Sequence, residues 1–446
     1  MNTKIRFMVY NAYGIGGTVK TIFNFANHFF STGKYDVEVI SIKRTKDTPT
    51  LYLNPKIKII ALQDARKNAA FSDEDKLLLG MPSRLIDPEE DLYAMFNGYT
   101  DKKISELLSN MHNGVFVTTM PSFNVLSANM VDNSVLKIGQ EHKSYADHTA
   151  GIQKLIRENY GKLDAVTILT ERNKTVYERK IQGEVPIYVL GNGTPLLNFR
   201  ANLKNHIIVA AGRYAEQKGY DMLIRSFALI KDRFPDWIVK IYGEGALTDS
   251  YKKIIRECGV GNQIILEPGS DKMDEKLSEA AIHVCSSYYE PFGMVVIEGF
   301  AMGLPCVSFE CDGPMEIITD GYDGVLVPKE DINALAEAMA KLMSDEKLRL
   351  KMGKNAYSTA KKYDIAVIGK NLMQIVEKEF KHKTDNADRL DISSIQSEKN
   401  EPVSRTQIAF DQPSLMINTA KNGNVGLRTI VKMFFGWLGY KLKRKK

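Results

Sequence analysis

Short apolar runs rich in Val, Ile and Phe recur along this chain, and between them apolar residues return every three or four positions. The runs at 5–10, 37–42, 115–119, 136–140 and 165–170 read as strands. A second set follows at 207–211, 237–242, 263–267, 282–286, 305–309 and 324–327. Helical periodicity covers 18–30, 221–234 and 332–344. Continuous apolar strands alternating with helices predict parallel sheets covered on both faces. The two sets are separated by Gly191-Asn-Gly-Thr-Pro195 and a polar stretch to Asn205, which reads as an interdomain linker. The division is a first domain over 1–195 and a second over 196–381. Each opens with a strand feeding a glycine-containing turn and a helix. Two facing, doubly wound, Rossmann-like α/β domains follow, with ligands expected beyond the carboxyl ends of the strands, in the cleft between them. The last helix of the second domain, over 371–381, is placed either on its own domain or back on the first. The polar stretch 382–419 reads as a flexible linker, and 420–446 as a separate basic tail.

Composition narrows this only modestly. A length of 446 residues suits two or three domains, and a hydrophobic fraction of 44% is that of a globular chain. The four cysteines, Cys258, Cys285, Cys306 and Cys311, form no CxxC pair and read as reduced core thiols. The apolar N-terminal run is too short for a signal peptide and enters a glycine turn. No stretch is long enough to span a bilayer, so a cytoplasmic protein is predicted. The net charge of +6 is local: residues 420–446 hold eight Lys or Arg and no acid, which leaves 6 − 8 = −2 for the body. A nucleic-acid-binding body is therefore disfavoured.

Four segments carry chemistry. In Glu290-Pro-Phe-Gly-Met-Val-Val-Ile-Glu298, Glu290 falls in the loop after a strand and Gly293 permits close backbone approach. A helix over 293–302 would point its N-terminal amides at an anion, with Glu298 about one and a half turns on. Taken alone, the pair also reads as a loop acid and a solvated helix acid. Arg213 and Lys218 lie on one strand-to-helix loop, where fixed cations stabilise a diphosphate that gains charge as it leaves; alone they also read as surface charges. Gly16 and Gly17 open the first helix, so their amides line the cleft from the other domain; a dinucleotide site or a plain tight turn shows the same glycines. Lys43-Arg44 stand where a nicotinamide site carries an acid, which counts against that reading. His142 follows the strand at 136–140 and is placed to touch a sugar, or serves structure only. Asp73-Glu74-Asp75 resembles a metal-holding DxD, but it precedes a helix pattern and reads as a surface acidic patch; no metal is expected.

Together these segments resemble family 4 of the retaining glycosyltransferases, over roughly residues 4–380 and most densely from Arg213 to Pro328. The resemblance implies the GT-B fold and a nucleotide-diphosphate sugar, UDP by default, as co-substrate with no further cofactor. It implies that Arg213 and Lys218 grip the diphosphate, that Glu290 contacts the transferred sugar and that Glu298 binds the ribose. It also implies that the backbone of Phe292, Gly293, Met294 and Val295 holds sugar and phosphate, that Gly16 and Gly17 approach the pyrophosphate, and that His142 touches the sugar. Gly299-Phe300 departs from the Glu-Ala frequent there, and residues 63–111 have no clear counterpart. A nucleotide-sugar epimerase of the same architecture and a non-catalytic glycan- or nucleotide-binding subunit are the competing readings.

In the tail, Leu427, Ile430, Val431, Phe434, Phe435, Leu438 and Leu442 recur at helical spacing, opposite Arg428, Lys432 and Lys443. Trp437 suits an interfacial depth, and Lys441 and Lys443 belong to the closing basic run. This predicts an amphipathic helix on an anionic membrane surface, or alternatively a helix docked on the protein body or an oligomer contact. A tail of the first kind places the protein at the inner face of the cell membrane. The acceptor is then a lipid-linked or wall-bound glycan, as in capsule, teichoic-acid or exopolysaccharide assembly.

Overall fold

The computed structural model describes residues 2–393. The first sheet collects β1 (Thr3–Val9), β2 (Tyr35–Arg44), β3 (Lys58–Asp64), β4 (Val115–Thr118), β5 (Leu136–Gln140), β6 (Ala165–Ile168) and β7 (Ile187–Val189). Its helices are α1 (Gly17–Ser31), α2 (Asp73–Leu79), α3 (Gly98–Ser109), α4 (Pro121–Met130), α5 (Ala150–Asn159) and α6 (Glu171–Lys180). The second sheet is built from β8 (Ile207–Ala211), β9 (Ile238–Tyr242), β10 (Ile264–Glu267), β11 (Ile282–Cys285), β12 (Cys306–Phe309) and β13 (Gly324–Val327). It carries α7 (Tyr220–Ile230), α8 (Thr248–Glu257), α9 (Met273–Ser278), α10 (Met294–Ala301), α11 (Asp312–Ile317), α12 (Ile332–Ser344) and α13 (Glu346–Ala360), and α14 (Ile365–Ser393) ends the described chain.

Every strand pairing is parallel. The orders are β3-β2-β1-β4-β5-β6-β7 and β10-β9-β8-β11-β12-β13. The interior strands are buried on both faces, as their unbroken apolar runs require. Each fully buried Phe or Leu contributes about 1.5–3 kcal/mol; Phe7, Phe25 and Phe29 in the first domain and Phe227, Phe300 and Phe309 in the second are of this kind. The two-domain GT-B architecture expected from the resemblance is the one observed. β3 and β7 are missing from the predicted strands. Both are edge strands; β3 is mostly half-buried and β7 spans three residues, so their apolar pattern is weak.

The chain crosses between domains twice, and the crossings run side by side: Thr194 N–H donates to Tyr363 O at 2.9 Å, and Ile365 N–H to Thr194 O at 3.1 Å. After the second crossing α14 returns to the first domain, where Ile368, Leu372, Met373 and Val376 join the α1 side of its core. This helix continues to Ser393, so 382–393 is helical and not the linker predicted there. Its polar composition does not end it, since the absence of Pro and Gly leaves nothing to stop the helix; Lys383 also ties it to Asp164 at 2.7 Å. Asp73 and its acidic neighbours form the first turn of α2, on a side chain N-cap from Ser72. The rest of the predicted linker and the whole basic tail lie outside the described residues. No helix of the described residues is long and apolar enough to cross a membrane.

Candidate functional site

In the second sheet the strand order reverses between β8 and β11, and a crevice opens beyond their carboxyl ends. The loop after β8 is forced down into it by glycine. Gly219 has φ 57°, and a Cβ there would fall 2.1 Å from Ser286 O, in the loop after β11. The two loops are then stitched together: Ser286 Oγ–H donates to Lys218 O at 2.9 Å and Tyr288 N–H to Gln217 O at 2.8 Å. Lys218 Nζ consequently reaches Glu290 Oε2 at 2.6 Å, and Ser287 Oγ–H donates to the same oxygen at 3.3 Å.

This ion pair is largely withdrawn from solvent, with side-chain exposures of 16% for Lys218 and 12% for Glu290. Burial pulls the Lys218 pKa down, but the charge and hydrogen bond of Glu290 together with the neighbouring Cys285 outweigh it and hold the ammonium above its ordinary value. Arg213 is close enough for its charge to oppose that rise. It is exposed and makes no ion pair among the described residues. One committed and one free cation therefore stand at the mouth of the crevice.

Gly293, with φ 100°, caps α10, and the helix starts at Met294, one residue later than predicted. The ring of Phe292 is buried between the two interdomain crossings, edge-on to Tyr363 at 5.8 Å. What Phe292, Gly293, Met294 and Val295 offer a ligand is thus the backbone at the helix start. Facing it across the domain boundary is the first turn of α1. Thr21 Oγ1–H donates to Met294 Sδ at 3.7 Å. A Cβ on Gly17 would lie 3.9 Å from Met294 Cγ, while one on Gly16 would meet nothing within 4 Å. Glu298 does not stand free: Lys20 Nζ, from α1, holds its Oε1 at 2.7 Å. Sequence reasoning passed over Lys20, although it lies one helical turn beyond Gly16 and Gly17. Nearby, Asp312 of α11 takes Arg172 Nη1 at 3.1 Å and Ser144 Oγ–H at 3.3 Å, both from the first domain.

His142 leaves β5 half-buried, and its Nε2 is buried with no hydrogen-bond partner. Burial pushes its pKa down to about 4, so it presents a neutral imidazole at physiological pH. The residue before it was also passed over. Glu141 is buried and accepts from Asn124 Nδ2 at 3.0 Å, from Tyr177 Oη at 3.1 Å, from Tyr160 Oη, and pairs with His148 Nε2 at 3.1 Å. This network anchors the start of the His142 loop. Glu90, from the segment with no counterpart, accepts at the start of α4 from Ser122 N–H at 3.0 Å and Oγ–H at 2.8 Å.

Two features settle questions raised by the sequence. Lys43, where a nicotinamide site would carry an acid, is a buried amine donating to Gln63 Oε1, and burial lowers its pKa to about 8. Gly299 packs on the buried His283 ring, where a Cβ would lie 3.1 Å from His283 Cγ; that accounts for a glycine at this departure from the family pattern. Among the described residues no cluster of three or more His, Cys, Asp or Glu is arranged to hold a metal. All four cysteines are free.

The buried histidines make stability depend on pH. Burial holds His283, like His142, at about 4. The unfolded chain binds these protons near pH 6.5 and the folded chain only near 4. Stability is therefore complete above pH 6.5 and falls as pH drops towards 4, by up to about 3 kcal/mol for each group. Urea unfolding between pH 4.5 and 7.5 should show this loss, and His283→Leu should flatten part of it; an unchanged acid slope in that variant would contradict the assignment.

Residues 198–359 match the family described as glycosyl transferases group 1. The chain is 29% identical over 380 residues to an exopolysaccharide phosphotransferase of Streptomyces coelicolor, covering 82% of this chain and 40% of that protein. It is 26% identical over 238 residues to the poly(ribitol-phosphate) alpha-N-acetylglucosaminyltransferase of Staphylococcus aureus, covering 52% of this chain and 48% of that one. It thus spans less than half the length of either relative. In fold it is similar to a TarM variant from S. aureus, solved with Fondaparinux, alpha-GlcNAc-glycerol and UDP, at a TM-score of 0.68 and 16% identity over 84% of this chain and 99% of that one.

Proposed function

We propose that this chain, whose residues 198–359 match the group 1 glycosyl transferases, moves a hexose or N-acetylhexosamine from a nucleotide-diphosphate sugar, UDP-linked by default, to a cell-wall or membrane-associated acceptor with retention of configuration. The observation that carries this reading is the buried Lys218–Glu290 pair beside the unpaired Arg213. The two cations meet the donor diphosphate, and the Glu290 carboxylate, oriented by Lys218, is left to hold the sugar. The helix start at Gly293 and Met294 faces the same crevice and favours the phosphates. The bond from the anomeric carbon to the phosphate oxygen breaks, and the acceptor oxygen bonds that carbon on the same face. The acceptor proton passes to the departing phosphate, so no protein base is required. Charge building on the leaving group is met by fixed side chains, of which Lys218 is largely withdrawn from solvent, where such interactions are strongest. Because Arg213 and Lys218 supply this charge, activity is expected to survive chelation of divalent metal.

The acceptor class rests on similarity to transferases named for exopolysaccharide and poly(ribitol-phosphate). The basic segment 420–446 is proposed to hold the protein at an anionic membrane, where such acceptors are assembled.

The test is a donor screen on the purified full chain with UDP- and GDP-sugars, with and without polyol-phosphate and glycan acceptors, followed by NMR of the product. A new linkage of the donor's own anomeric configuration is expected, in EDTA as well as without it. An altered sugar formed without acceptor would identify an epimerase, and binding without turnover a non-catalytic subunit. In parallel, a chain ending at residue 419 should lose binding to anionic liposomes and keep donor binding; equal retention of both proteins would end the membrane proposal.

A further inference from the structure

The carboxylate assigned to the ribose belongs to one domain, and the cation that holds it belongs to the other. Lys20 lies at the end of the first turn of α1, three residues after Gly17, and its Nζ is 2.7 Å from Glu298 Oε1 in α10. Glu298 is nearly buried, with 14% of its side chain exposed. Its Oε2 takes no hydrogen bond among the described residues. The pair is flanked by the Thr21–Met294 contact and by Gly17 against Met294. Just before it, beside Gly16, there is open space.

We propose that Lys20 is a donor-positioning residue, which neutralises and orients Glu298 so that its second oxygen receives a hydroxyl of the nucleoside diphosphate, and which does so only when the two domains are closed. This rests on the donor-site reading above. The electrostatic reason is direct. An uncompensated carboxylate in this crevice repels a diphosphate, and repulsion between like charges is strong where water is scarce. With Lys20 on Oε1 the carboxylate keeps a free acceptor for a hydroxyl while its charge is cancelled. Because the two partners come from different domains, the compensated carboxylate exists only in the closed arrangement. A nucleotide that binds it preferentially therefore selects closure. A pair that merely joined the two domains would not discriminate between donor and acceptor.

That difference is the basis of the test. UDP binding to the full chain is measured by calorimetry, and KM for donor and acceptor separately, for the wild type, Lys20→Ala, Lys20→Met and Lys20→Arg. The neutral variants should bind UDP about tenfold more weakly and raise the donor KM by a similar factor. Their kcat and acceptor KM should stay within about threefold, and Lys20→Arg should recover most of the loss. Lys20→Met keeps the aliphatic stem and so separates the charge from packing. Neutral variants that bind UDP as tightly as the wild type, or more tightly, overturn the proposal and leave the donor site standing. Equal rises in both KM values, with a lowered melting point, also overturn it in favour of a structural bridge. A wild type that binds neither UDP nor GDP overturns the donor-site reading and the role of Lys20 with it.

Discussion

Lys218→Ala is expected to lower kcat by about a thousandfold, the scale seen when one fixed donor to a developing negative charge is removed. Two losses combine. The leaving diphosphate forfeits a cation that is already in place, and Glu290, with 12% of its side chain exposed, loses the partner that orients it. A nearly buried carboxylate without a counter-charge is costly. Glu290→Gln is expected to be impaired on a similar scale for the complementary reason: the Lys218 ammonium keeps a polar neighbour but not a charge, and the sugar faces a neutral amide in place of a charged carboxylate. Because the two side chains act as one unit, the double variant Lys218→Ala/Glu290→Gln should be scarcely worse than either single change. Single-turnover rates at saturating donor measure this, with circular dichroism to show that each variant is folded. A Lys218→Ala enzyme within tenfold of wild type would show that the pair is structural. Arg213→Ala, which breaks no ion pair among the described residues, should raise the donor KM while leaving stability unchanged.

The largest effect on stability is expected at Glu141→Ala, at about 3–5 kcal/mol. The carboxylate gathers hydrogen bonds from Asn124, Tyr160, Tyr177 and His148, all of them buried. Truncation leaves these polar groups facing one another around a void, and each buried group left unsatisfied costs about 1–3 kcal/mol. Relaxation and entry of water recover part of the sum. Glu141→Gln should lose less, since its carbonyl still accepts from two donors while its amide cannot accept at all. Urea unfolding followed by far-UV circular dichroism gives the comparison; the midpoint should fall most for the alanine variant and less for glutamine. Trp237 lies in the second domain and provides a control there, since its surroundings contain no part of this network. Equal midpoints for wild type and Glu141→Ala would mean that the network contributes nothing net. Since Glu141 immediately precedes His142, a change in donor affinity in the glutamine variant would further indicate that the network positions that loop.

Much of this molecule was readable as a linear pattern. β5, β8, β13 and α12 have the predicted bounds, because an apolar run bounded by turn residues has one way to be buried. The edge strands β3 and β7 escaped, since one-sided burial leaves a weaker pattern. Likewise α14 was cut short because its polar end was read as absence of helix, although that end contains no Pro or Gly to stop one.

By itself the sequence determined two parallel-sheet domains and the candidate residues Arg213, Lys218, Glu290 and Glu298, because periodicity, glycine position and residue type are local properties. The tertiary structure alone decided how those residues are joined. Lys218 meets Glu290 because β8 and β11 are neighbours in space, and Gly219 lets their loops touch. Lys20 meets Glu298 because one domain lies against the other. Glu141 looked like an unremarkable loop acid until four donors from separate elements converged on it. A side chain's charge is written in its residue type, but its partner, its burial and hence its pKa are set by how distant segments pack.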